Sequence, residues 1–185
     1  AVESAGFICD GRMLALNSYE NRVYQVGIED AEPVVVKFYR PARWRDESIL
    51  EEHAFSMELE DLDVPVVAPV VLPAHGSTLG VHEMFRFAVF PRRTGRWPDL
   101  DTAEDRRSMG RFIGRLHACG QTRQFSDRPR LDAATFGFAP LADLERSECV
   151  PPDMSANVLD ACRELLESIS ARLEGGAWRA QRIHG

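Results

Sequence analysis

The stretch Val34-Val35-Val36-Lys37-Phe38-Tyr39 sets an amine inside an otherwise apolar run. Five of its six residues are β-branched or aromatic, as in a strand buried on both faces. An unpaired ammonium is costly to bury there. The lysine must therefore reach water at a sheet edge or meet an anion. Fifteen residues on, Glu52 lies in Ile49-Leu50-Glu51-Glu52-His53-Ala54-Phe55, a run with a helical pattern. A strand lysine and a helix glutamate at this separation can form the ion pair that grips ATP phosphates. The same residues also fit a solvated edge lysine and a solvated helix glutamate, so the surrounding elements have to decide.

Those elements read as follows. Arg12 to Leu16 and Val23 to Ile28 are strand-like, separated by the polar turn Asn17-Ser18-Tyr19-Glu20-Asn21. With the lysine strand they make an antiparallel meander that Arg40-Pro41 ends. A helix is expected from Asp46 to Glu60, with Asp46 capping its first amides. Its apolar stripes are Leu50, Ala54 and Met57, with Glu52 nearby, and Phe55, Leu59 and Leu62. The prolines of Val64 to Leu72 limit that stretch to an edge strand or an extended run. Two more strands, Thr78–His82 and Met84–Phe90, bring the sheet to five around one helix. Pro91-Arg92-Arg93-Thr94-Gly95-Arg96-Trp97 then breaks the pattern like a hinge. Beyond it come a helix from Asp101-Thr102 to Cys119, with Gly120 as its stop, and a polar irregular stretch from Gln121 to Thr135. A short helix over Leu141–Arg146 and a long one over Ser155–Leu173 follow. The expected division is residues 1–90 as one lobe, 91–97 as linker and 98–185 as the start of a helical lobe.

Composition narrows the function classes. The 185 residues are 44% hydrophobic and carry a net charge of −7, which suits a globular protein and disfavours a general nucleic-acid binder. No run of eighteen apolar residues is present to span a membrane. Cys9, Cys119, Cys149 and Cys162 are scattered and read as reduced thiols. His75 and His82 lack a third metal ligand, and no metal site is expected within the chain. The expected location is cytoplasmic.

Taken together, several segments carry a family resemblance. They are Leu16-Asn17-Ser18-Tyr19-Glu20-Asn21-Arg22-Val23-Tyr24-Gln25, Val35-Val36-Lys37-Phe38-Tyr39-Arg40-Pro41 and Ile49-Leu50-Glu51-Glu52-His53, with Phe87-Ala88-Val89-Phe90-Pro91, Gly114-Arg115-Leu116-His117 and His184-Gly185. The chain resembles the aminoglycoside phosphotransferase and choline kinase-like family, and within it the bacterial stress-response serine/threonine protein kinases. The resemblance implies an α+β, protein kinase-like bilobal fold. A five-stranded antiparallel N-lobe with one helix would precede an incomplete helical lobe. It also implies ATP and Mg2+ as cofactors, a protein substrate with a Ser/Thr hydroxyl, no nucleic-acid or membrane partner, and a monomer when complete.

The resemblance assigns roles as well. Lys37 would hold the α- and β-phosphates and Glu52 would orient it, with Glu51 as the rival one residue away. The turn from Asn17 to Asn21 would fold over the phosphates, chiefly through Ser18. Phe90 would stand behind the adenine, the Pro91 carbonyl would accept from its amino group, and the Arg93 amide would donate. His184-Gly185 would begin a His-Gly-Asp loop whose catalytic aspartate comes next, so the chain reads as an N-terminal fragment without base or metal ligands. The small-molecule kinases of the same fold, acting on aminoglycoside, choline-like or amino-alcohol substrates, are the alternative, followed by a non-catalytic nucleotide- or partner-binding module. His117 and His184 are expected to be structural. Arg92, Arg93 and Arg96 are expected to form a solvated basic rim, and Trp44 to anchor packing. The helix from Ser155 is expected to expose apolar surface.

Overall fold

The computed structural model describes residues 1–95, 98–147 and 149–183. Arg96 and Trp97 of the linker and the pair His184-Gly185 therefore lie outside the described residues. In chain order the elements are β1 (Cys9–Leu16), β2 (Arg22–Ile28), β3 (Ala31–Phe38), α1 (Asp46–Asp61), β4 (Gly80–His82), β5 (Phe85–Pro91), α2 (Ala103–Gly120), α3 (Ala139–Arg146) and α4 (Pro152–Glu174). The strands form one antiparallel sheet in the order β1-β2-β3-β5-β4. β3 starts earlier than its apolar run suggests and takes in Pro33. The β2–β3 register is irregular between Val26 and Ile28, and such an irregularity accommodates a residue without an amide hydrogen.

The two faces of the sheet have different work. Cross-strand partners share a face, so Leu14, Leu16, Val23, Gln25, Val35, Ala88 and Phe90 lie on the same side as Lys37. On the opposite side Val36, Phe87 and Val89 are buried with Val2, Ala5 and Leu72, and Phe38 packs against them. The Lys37 side is partly roofed by α1 through Ile49, which joins Tyr39, Leu79 and Ala88 in a second core with Trp44 and Phe90 at its edge. Trp44 is thus a packing residue, as expected. A third core seats α1 on α2 through Phe55, Leu59, Val64 and Cys119. The segment from Val64 to Leu72 is extended, with Val70 N donating to Val89 O at 2.8 Å.

Three local expectations change. Asp46 does not cap α1; Arg45 stands at the cap position, and the Asp46 carboxylate instead accepts from the Arg86 guanidinium of β5. The stripe facing the sheet is Ile49, His53 and Ser56, whereas Leu50, Ala54 and Met57 lie outward. Gly120 is the last helical residue of α2 without a left-handed backbone. Glycine is needed there because a Cβ would stand 2.2 Å from the Arg182 carbonyl oxygen. Thr102 does cap α2, accepting from Asp105 N at 3.1 Å.

The chain resolves into two compact units. The first is residues 1–127 with the stretch from Gln181, and it holds the sheet, α1 and α2. The second is Arg128–Ala180, with a π-helical turn at Ala134–Phe138, α3 and α4. Within it Arg163 of α4 pairs with Glu145 of α3 at 2.5 Å. No residue of α4 is buried, and Met154, Leu165, Ile169 and Leu173 are exposed on it.

Candidate nucleotide site

Lys37 lies one residue before the end of β3, between Val23 of β2 and Ala88 of β5. Its Nζ is 3.5 Å from Oε1 of Glu52 on α1, and both side chains are about a quarter exposed, at 25% and 23%. That separation is longer than a tight charge-assisted hydrogen bond, at about 2.7–2.9 Å. The carboxylate attracts the ammonium without locking it, so its three donors can still turn to a phosphate. The ammonium also lies 4.7 Å from the centroid of the Tyr39 ring. Tyr39 is two residues on and so on the same side of the strand line.

Helix register separates the two adjacent glutamates. Glu52 falls beside the stripe of Ile49, His53 and Ser56 and meets Lys37. Glu51, about 100° further round the helix, accepts from the amides of Ser126 and Asp127 at 2.5 and 2.8 Å. The same loop is held by Ser48 Oγ donating to Asp127 O at 2.7 Å and by Arg45 bonding Asp127 at 3.1 Å. Glu51 is thus a loop clamp.

Ser18 and Asn21 lie in the β1–β2 turn, at the same sheet end as Lys37 because Val23 is the lysine's partner. The Ser18 hydroxyl donates to the Asn21 carbonyl, closing the turn on itself. Asn21 Oδ1 accepts from Arg40 N at 3.3 Å, and Glu20 pairs with Arg43 at 2.6 Å. These bonds pin the turn to the segment that leaves β3. Phe90 is half-buried on the Lys37 face, opposite Val35. Pro91 ends β5 opposite Val34, and Arg93 follows, exposed. Arg92 is bound to the sheet, its Nε donating to Gln25 Oε1 at 2.9 Å.

Residues 13–185 match the phosphotransferase enzyme family. The chain belongs to that family. Among curated relatives of this phosphotransferase-family chain, a protein of Salmonella typhimurium named "Serine/threonine protein kinase RdoA" is 38% identical over 189 residues, covering all of this chain and 56% of the relative. The "Stress response kinase A" of Escherichia coli K12 is 39% identical over 184 residues, covering 97% of this chain and 54% of the relative. The chain thus spans about half the length of the curated relatives it matches. Among solved structures, an amicoumacin kinase described in complex with AMP-PNP, Ca2+ and Ami superposes with a TM-score of 0.70 at 21% identity. The match covers 96% of this chain and 53% of that one. The fold is accordingly the protein kinase-like fold of the aminoglycoside phosphotransferase type.

Two features of the candidate site escaped pattern reading. One was in plain view: Lys37 is the sole lysine of the chain, every other strongly basic side chain being arginine. Its compact ammonium is the kind of point charge that can bind a phosphate. The other is His53, 2% exposed, whose ring joins Tyr39 Oη at 2.7 Å and Thr78 Oγ1 at 2.8 Å. Burial pushes this imidazole down to about 4, with the Glu52 charge opposing and the Lys37 charge assisting. It is therefore neutral at neutral pH, as a buried hydrogen-bonding group should be.

Proposed function

We propose that this chain carries the nucleotide-gripping part of an ATP-dependent serine/threonine protein kinase of the bacterial stress-response type. The observation that carries the reading is the Lys37–Glu52 pair at 3.5 Å on a sheet of the phosphotransferase family. In this reading residues 1–90 form the nucleotide lobe and 91–97 its hinge. Lys37 holds the α- and β-phosphate oxygens, and Glu52 keeps the ammonium aimed. The Ser18–Asn21 turn closes over the phosphates with its hydroxyl and backbone amides. Phe90 backs the adenine on an apolar floor shared with Leu16, Val23 and Val35, which lie on the same face. The Pro91 carbonyl and the Arg93 amide meet the adenine edge.

A bound Mg2+ would neutralise charge between the phosphates. Among the described residues no group of three His, Cys, Asp or Glu side chains could hold a metal ion. The acceptor in this reading is a Ser/Thr hydroxyl of a protein, which the names of the relatives at 38–39% identity favour.

The test uses the gene's whole product with γ-labelled ATP, offered protein substrates and small amino-alcohols in parallel. Label on protein serine or threonine, lost in Lys37→Ala, is the expected result. Label on small alcohols alone contradicts the protein-kinase assignment.

A further inference from the structure

The ion pair that the proposed function depends on is not self-sufficient. At 3.5 Å and a quarter exposed, it lacks the short contact and the burial that would fix a lysine with four rotatable bonds. Something else must hold α1 at the right height above β3, and hold the Lys37 stem in one direction.

Directly behind the pair lies a chain of three buried polar groups. Tyr39 leaves the end of β3, 3% exposed, with its amide donating to Arg86 O at 2.9 Å. Its hydroxyl meets His53 Nε2 at 2.7 Å, and His53 Nδ1 meets Thr78 Oγ1 at 2.8 Å. The three residues come from the lysine strand's end, from α1, and from the segment entering β4. Two of them adjoin the candidate site: Lys37 Nζ sits 4.7 Å from the Tyr39 ring, and His53, which directly follows Glu52, meets the Phe90 ring edge-on at 6.2 Å and 88°. A buried imidazole with partners on both nitrogens is one no water has to solvate, and its bonds fix the ring in the plane. The face of the Tyr39 ring is then a fixed platform for the ammonium.

We propose that Tyr39 and His53, braced by Thr78, are positioning residues that set the Lys37–Glu52 pair and the seat of Phe90. They act through Lys37 and Glu52 and touch no substrate. The consequence for nucleotide binding rests on the phosphate-holding role of Lys37 proposed above; the effect on Lys37 itself does not.

The sole lysine makes the test clean. Selective 13C-lysine labelling of the chain gives one lysine spin system, that of Lys37. In the wild type, the ring current of Tyr39 should move its Hε protons upfield of the random-coil position. Tyr39→Phe keeps the ring and deletes the bond to His53; Thr78→Val deletes the far brace. In both variants the Hε signal should move back toward random coil, and in His53→Gln, which keeps one polar partner, it should move less than in His53→Ala. Thermal unfolding reports folding in parallel. A Hε position unchanged in cooperatively folded Tyr39→Phe and Thr78→Val overturns the proposal and leaves these residues as packing only.

The second arm is calorimetric titration with AMP-PNP and Mg2+. Tyr39→Phe should weaken binding about three- to tenfold, and should do nothing further in a Lys37→Ala background. Equal losses in both backgrounds would overturn action through Lys37. If Lys37→Ala leaves the AMP-PNP affinity of the gene's whole product unchanged while the Hε signal still moves, the positioning role stands and the nucleotide reading fails.

Discussion

At the scale of single residues, the adjacent glutamates make a sharp comparison. Glu52→Ala removes the anion that aims Lys37 and should weaken AMP-PNP binding several-fold with little loss of stability. Glu51→Ala should show the reverse. It deprives the Ser126 and Asp127 amides of their acceptor and should lower stability by about 1–3 kcal/mol, leaving affinity nearly unchanged. Calorimetry and urea unfolding on the two variants check this. His53 gives a pH signature. Its imidazole protonates near 6.5 in the unfolded chain and only near 4 when folded. Between those values the unfolded chain holds more protons, so stability is complete above about 6.5 and falls as pH falls toward 4. The loss amounts to about 3 kcal/mol at most. His53→Gln should flatten that part of the stability–pH curve. What could be read at this scale was the lysine and its glutamate, because a strand period and a helix period point both side chains inward. His53 was missed because its partners lie 14 and 25 residues away, beyond any local pattern.

At the scale of elements, the apolar stripe of α1 is the instructive error. Of its two apolar stripes, the second buries Phe55 and Leu59, but Leu50, Ala54 and Met57 of the first are exposed. The helix instead turns Ile49, His53 and Ser56 to the sheet, because two polar groups with partners can be buried at little cost. The far end of α1 is held by a second polar device. Arg182, with its side chain 6% exposed, donates to both Glu58 oxygens at 2.7 and 3.1 Å and to Cys119 O and Thr122 Oγ1 at 3.0 Å. Its guanidinium also lies 4.4 Å from the Phe55 ring centroid. The hydrogen bond from Arg182, aided by the charges of Arg182 and Arg123, holds the Glu58 carboxyl down to about 2 against the effect of burial. Its contribution is therefore present above about 4.5 and lost as pH falls toward 2. Arg182→Met should cost about 1.5–3 kcal/mol in urea unfolding, since it removes the charged bonds to Glu58 and leaves that carboxylate to Arg123 at 3.2 Å. Gly120→Ala should destabilise as well, because the added Cβ meets backbone that cannot swing away. With a sequence separation of 124 between Arg182 and Glu58, only the folded chain brings this pair together.

At the scale of the whole molecule, the strand count and the helix order were legible, because each element carries its own period and its own turn residues. Which side chains sit where the elements cross was not, since that depends on how helices are rotated about their axes. The two units should differ in local stability. β3 and β5 carry the buried residues Val36, Phe87, Ala88 and Val89, while α4 buries none. Native-state hydrogen exchange should therefore show β3 and β5 opening only near global unfolding, and α4 opening at far lower free energy. Equal protection in both would contradict this distribution of the core.

The role of the Lys37 ammonium is decided by one titration: AMP-PNP with Mg2+ into the wild-type protein and into Lys37→Ala, both shown to be folded. Loss of the charge-assisted contact should cost about 1.5–3 kcal/mol, roughly ten- to a hundredfold in affinity. Equal affinity of the two proteins would show that Lys37 does not hold the nucleotide, and the site would have to be sought elsewhere on the chain.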